Sequence, residues 1–127
     1  CRQGEIALYR FLGSTYRTIN TAAVGGHGVI PGLANFVPGF FAKAWEAGDN
    51  GDSDVADKYM AKIMRAGKVM NLAKGGPSAG GGFSGMKAAL KMMGVIEHDV
   101  VTAPFRSLSD DEKQAIPGLL NELGISS

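Results

Sequence analysis

Lysines, two histidines, one cysteine and a run of glycines are the residues of this chain whose types and spacing bear on chemistry. Gly80-Gly81-Gly82-Phe83-Ser84-Gly85 satisfies Gly-x-Gly-x-x-Gly ahead of a helical stretch, the pattern of a loop that cradles phosphate on backbone N–H groups. That mechanism needs a strand before the loop and a long helix after it. Residues 71 to 79 carry no strand signal and the following helix is short, so the segment reads as a flexible connector. Met86 also separates Gly85 from Lys87, which breaks a Walker-type spacing. His27 and His98 lie far apart and lack Cys or carboxylate neighbours at ligand spacing, so neither a metal nor a cofactor is expected. His98 reads as a solvated turn residue and His27 as a packing or surface residue. Cys1 has no histidine nearby to activate it as a nucleophile.

The elements that must position any site are mostly helical. Val29 and Ile30, flanked by Gly and Pro, suit a short buried strand near His27 to Leu33, with glycines where other backbone comes close. Asn35 is placed to cap a helix over 38 to 47, which begins with Pro38 and runs through Phe40, Phe41, Ala44 and Trp45. Gly48-Asp49-Asn50-Gly51 then forms a turn. Asp52 or Ser53 caps a helix over 53 to 72, with Val55, Tyr59, Ile63 and Met70 near one face and Met60 and Met64 beside them. These methionines, with Met86, read as core filler. Ser84 is placed to cap a helix over 85 to 93 that Gly94 closes. Ser109-Asp110-Asp111-Glu112 has the form of a capping box opening a helix to residue 123, which Pro117 should interrupt near Ala115. Toward the N-terminus, residues 4 to 12 read as a short helix stopped by Gly13, and residues 14 to 24 as strand or ordered loop.

Composition narrows the classes of function. The 127 residues are 45% hydrophobic, enough for a core, and their formal charge is only +1. No long-range field favours nucleic acid or an anionic membrane surface, and no apolar stretch approaches the roughly 18 residues of a membrane span. A single cysteine and the lack of a signal-peptide layout point to a reducing, cytoplasmic setting.

The stretch Gly25-Gly26-His27-Gly28-Val29-Ile30-Pro31-Gly32-Leu33-Ala34-Asn35-Phe36-Val37-Pro38 resembles the last barrel strand and following helix of the dihydrodipicolinate synthase and N-acetylneuraminate lyase family, whose members commonly read Gly-x-x-Gly-Val-Ile-Ser-x-x-Ala-Asn-x-x-Pro. Gly85 to Ile96, then Pro104-Phe105-Arg106-Ser107-Leu108-Ser109 and a closing helix ending Glu122-Leu123-Gly124, is similar to that family's C-terminal tail in order and spacing. Together the two stretches cover residues 25 to 127. The resemblance implies a mostly α chain with one β-strand, the C-terminal fragment of a (β/α)8 TIM barrel. Residues 1–48 would end the barrel and residues 49–127 would form the C-terminal helical tail. A barrel of this kind takes about 250 residues, and the start at Cys1 rather than Met is read as a cut from something longer. Pro31 stands where Ser is frequent in the family. Residues 14 to 24 exceed the family's usual spacing and are read as a loop insertion or a gene-model error.

The family's activity implies a class I aldolase or lyase that binds pyruvate as a Schiff base on a lysine. That lysine must be partly neutral, through desolvation or a neighbouring cation. Lys43, Lys58, Lys62, Lys68, Lys74, Lys87, Lys91 and Lys113 all fall on helices or polar connectors, and the family's lysine motif does not occur in this sequence. No catalytic residue is therefore expected here. The resemblance implies substrate-binding roles for Ile30, whose carbonyl would lie near the reactive lysine, for Gly32 in the pocket floor, and for Glu5, which matches a Gly-x-Asp/Glu segment. The expected partners are a keto acid in the complete enzyme and further copies of the chain, with neither nucleic acid nor membrane. The alternative reading is a self-standing helical protein-interaction module whose Met- and Phe-rich helices meet a partner.

Overall fold

A computed structural model of the chain describes residues 9–75 and 82–125. The order of elements is β1 (Phe11–Leu12), a 3-10 turn (Thr15–Arg17), α1 (Thr18–Ala23), β2 (Gly28–Val29), a 3-10 turn (Gly32–Asn35), α2 (Pro38–Asp49) and α3 (Ser53–Ala66). A 3-10 turn (Gly67–Asn71), α4 (Phe83–Met92), α5 (Asp110–Lys113) and α6 (Ala115–Leu123) complete it.

Two strands are present where the sequence suggested one. β1 and β2 pair in parallel, with Phe11 opposite Gly28 and Leu12 opposite Val29. The described part of the expected helix over 4 to 12 is therefore corrected to strand at Phe11–Leu12. Residues 14 to 24, expected as strand or ordered loop, are corrected to a 3-10 turn and α1, which form the crossover between two parallel strands that no tight hairpin can join. Thr18 and Thr21 are buried in that crossover, and their hydroxyls donate back to the carbonyls of Thr15 (3.2 Å) and Arg17 (2.8 Å), so β-branched residues are accommodated in a short helix. Gly28 lets the strands close up, because a Cβ there would lie 2.8 Å from the Phe11 ring.

The helices follow the capping signals, with three corrections. Asp52 accepts from the Val55 N–H at 3.1 Å and starts α3, after Gly51 turns the chain at φ 75. Ser109 and Glu112 complete the capping box of α5. Pro117 falls in the first turn of α6, and the break lies at Gln114, which is how the chain accommodates a residue without an N–H. α4 ends at Gly94 in a Schellman arrangement, its N–H reaching the Lys91 carbonyl and that of Val95 the Leu90 carbonyl. The first correction is Asn35, which donates to the Gly32 carbonyl at 2.9 Å while Val37 occupies the N-cap of α2. The second is Ser84, which lies inside α4, buried, donating to the Arg106 carbonyl at 2.5 Å; the cap is Gly82, at φ 71. The third is the α3 helix itself, which passes into 3-10 geometry at Gly67; Ile63 of the expected face is buried, with Ala56 and Ala66, and Tyr59, Met60 and Met70 pack on the core, but Val55 and Met64 are exposed.

One core joins these helices. Leu33, Phe36, Phe41 and Ala44 meet Ile63, Ala66 and Val69, and these meet Met86, Ala89, Leu108, Ile116 and Leu120. α4 approaches the turn after α3 so closely that a Cβ on Gly85 would lie 1.8 Å from the Val69 carbonyl oxygen. Ala favours a helix over Gly by about 1 kcal/mol, but overpacking costs about 1–3 kcal/mol and a backbone atom cannot rotate aside. Gly85→Ala should therefore destabilise the chain in urea melts, whereas Gly118→Ala, with open space around it, should be neutral or stabilising by up to about 1 kcal/mol. Equal effects at the two positions would contradict this packing.

Candidate functional site

Parallel strands end on the same side, so the pairing of β1 with β2 decides which backbone meets at their carboxyl edge. The Leu12 carbonyl accepts from the Ile30 N–H at 2.9 Å, one step beyond the last paired residues. Gly13 and Ser14 leave β1 there, and Ile30, Pro31 and Gly32 leave β2. A side chain at Gly13 would begin 3.9 Å from the Ile30 carbonyl oxygen. In barrels of parallel strands the chemistry gathers at this carboxyl face, on the loops that follow the strands. Ile30 is 71% exposed and Gly32 has open space around it, so two of the residues singled out in the sequence share this edge. Glu5 lies outside the described residues. Gly13 and Ser14 leave β1 at the same edge, although helical spacing through Phe11-Leu12 marks Gly13 only as a helix stop; Gly-Ser directly after an apolar pair is the available signal.

The opposite, amino end of β2 borders an open cleft of about 290 Å³ lined by His27, Gly28, Val29, Phe41, Ala42, Trp45 and Glu46. Tyr9 meets the His27 ring edge-on, with centroids 5.2 Å apart. Among the described residues no three His, Cys, Asp or Glu side chains converge as a metal site.

Seven of the eight lysines have a polar, charged or aromatic partner among the described residues. Lys43 lies 2.9 Å from Glu46 and Lys74 pairs with Asp111, and in each case the carboxylate raises the ammonium pKa. Lys91 and Lys113 flank Asp99 at 3.2 and 2.7 Å. Lys87 donates to the Val100 carbonyl at 2.7 Å, Lys62 sits over the Phe40 ring, and Lys68 lies 3.7 Å from Glu122.

The tail motif Pro104 to Ser109 owes its form to a buried carboxylate. The Glu112 side chain is 1% exposed. It accepts two parallel bonds from the Arg106 guanidinium, both 2.7 Å, and further bonds from the N–H groups of Lys74 (2.6 Å) and Ser109 (2.8 Å). Arg106 also donates to the Lys74 carbonyl, and its own carbonyl accepts from Ser84. These donors, the guanidinium first, hold the Glu112 carboxyl well below the usual range. Lys113 and Lys91 likewise pull Asp99 down to about 2.

The family model described as the dihydrodipicolinate synthetase family matches residues 5–123. The chain belongs to that family. Relatives from two strains of Halobacterium salinarum, each described as an uncharacterised DapA-like lyase, are 30% identical over 102 residues, which is 80% of this chain and 31% of the relative. Among solved structures, dihydrodipicolinate synthase of Bacteroides thetaiotaomicron superposes with a TM-score of 0.79 at 24% identity, covering 90% of this chain and 37% of that one. Another dihydrodipicolinate synthase gives 0.69 at 27% identity, covering 92% and 38%. The fold is thus that of part of a (β/α)8 barrel, and the chain spans 31% of the length of the curated relatives it matches.

The two lowered carboxylates set an acid limit. A carboxylate whose pKa falls on folding contributes stability that is complete above its unfolded value and is lost as pH drops through the folded one. For Asp99 that window runs from 3.8 down to about 2. Melting temperature should decline as pH falls below about 5. Asp99→Asn should flatten part of that decline, and Glu112→Gln should lower the neutral-pH melt by more than Lys43→Ala does. A melt independent of pH down to about 2 would contradict the assignment.

Proposed function

We propose that this chain supplies the closing strand and C-terminal helical layer of a pyruvate-dependent class I lyase, and that the Schiff-base lysine comes from outside it. The observation that carries the reading is the carboxyl edge of β1 and β2, where Ile30 and Gly32 stand exposed in a chain of the dihydrodipicolinate synthetase family. There the Ile30 carbonyl would lie beside the imine of a bound keto acid, and Gly32 would leave room in the pocket floor. The lysines support the second half of the reading. Those with resolved shifts move upward, away from the neutral amine that attack on a carbonyl requires.

The sheet supports assembly into something larger. Among the described residues β1 and β2 pair only with each other, and Tyr9, Phe11, Val24 and Ile30 are each more than half exposed. A covering of further strands, or of further copies of the chain, removes that apolar surface from water. The single cysteine favours the cytoplasm. The interaction-module reading loses most of its apolar face, because Phe41 and Met86 are buried and Phe40, Met60 and Met70 pack on the core.

Borohydride reduction in the presence of labelled pyruvate tests the role of the lysines. The chain alone should take up no stoichiometric label. Full labelling of any one lysine would overturn the proposal.

A further inference from the structure

At its amino end the strand pair is held by a side chain. The Arg10 carbonyl accepts from the His27 N–H at 2.8 Å, as a ladder requires. Among the described residues no backbone carbonyl accepts from the Arg10 N–H; it donates to Nδ1 of the His27 imidazole at 3.1 Å. The Arg10 guanidinium meanwhile donates to the Gly25 carbonyl at 3.1 Å, which keeps a full positive charge in the same corner. Nδ1 can accept only while it carries no proton.

We propose that His27 is a pH-sensitive latch between β1 and β2. With a neutral ring, Nδ1 accepts from Arg10 and the two strands are tied at both ends of their pairing. When the ring takes up a proton both nitrogens become donors, so the Arg10 N–H faces another N–H and loses its acceptor. Histidine is the side chain whose unperturbed charge change falls between about pH 5 and 8. The surroundings bear on it from three elements. On β1 the Arg10 guanidinium opposes a second positive charge and the Tyr9 ring packs edge-on. On α2, Glu46 lines the same cleft, and Lys43 pairs with it at 2.9 Å. Protonation therefore removes a bond that ties the two strands at their amino end. The consequence reaches the carboxyl edge, because β1 is only two residues long and Gly13 and Ser14 follow it directly. This inference rests on the strand geometry alone and stands or falls independently of the lyase reading.

Amide exchange on the complete chain, corrected for the intrinsic effect of pH, tests it. Protection of the Arg10 amide should fall by about 3- to 10-fold between about pH 8 and pH 5, the equivalent of one hydrogen bond. His27→Gln should abolish that change, and His98→Gln, which alters an exposed ring elsewhere, should leave it intact. Ring-nitrogen shifts of the parent chain at neutral pH decide the matter even if the variant folds poorly: Nδ1 should be the unprotonated nitrogen. A proton on Nδ1 at neutral pH, an Arg10 amide unprotected at every pH, or an unchanged pH response in His27→Gln would each overturn the latch.

Discussion

A carboxylate removed from water must be met by donors, and Glu112 meets four of them within 2.8 Å. Much of the helical layer depends on that requirement. The donors come from three places: the turn after α3, the loop before α5, and the N-terminus of α5 itself. Fixing them on one side chain brings α4, α5 and α6 onto the same core, with Ser84 adding a bond from α4 to the Arg106 carbonyl. Gly85 can then sit against the Val69 carbonyl, where no side chain fits. The family's tail motif thus has a mechanical content. Arg106 supplies a planar two-pronged donor that a lysine could not replace, and Leu108 supplies the adjoining buried apolar group.

The sheet stands in contrast. Its strands are two residues each, paired with one another and exposed on much of their apolar surface. The helices share one buried core, while the two short strands pair only with each other among the described residues and leave Phe11 and Ile30 exposed. That asymmetry is what a slice of a closed barrel produces, since closure is what removes the edges of a sheet. The helical core holds the structure together, and the sheet carries Ile30 and Gly32, the proposed pocket residues, at its carboxyl edge.

Helices were legible in the sequence because their signals are local. Asp52, the Ser109 to Glu112 box, Gly94 and the break ahead of Pro117 each act within a few residues, and each stands where its type and spacing placed it. The strand pair was half legible. Gly28-Val29 announces itself through small and β-branched neighbours, but Phe11-Leu12 continues an apolar run at helical spacing, and only the distant partner turns it into strand. The same non-locality hid α1, whose Thr-Ile-Asn-Thr-Ala-Ala composition favours a strand until it must bridge two parallel ones. Of the candidate site, Ile30 and Gly32 came from the family motif. Gly13 and Ser14 could not, because their place depends on β1. Arg106 was visible as a motif residue, but its role waited on Glu112 and Lys74, brought to it by the fold.

These residues form one part of a (β/α)8 barrel, with a shared helical core and an uncovered sheet. Sedimentation of the purified 127-residue chain together with binding of a hydrophobic dye measures that directly. The account predicts self-association or strong dye binding, as the exposed strand face seeks cover. A dye-silent monomer with a single cooperative melt would contradict it, since the sheet would then need nothing beyond this chain.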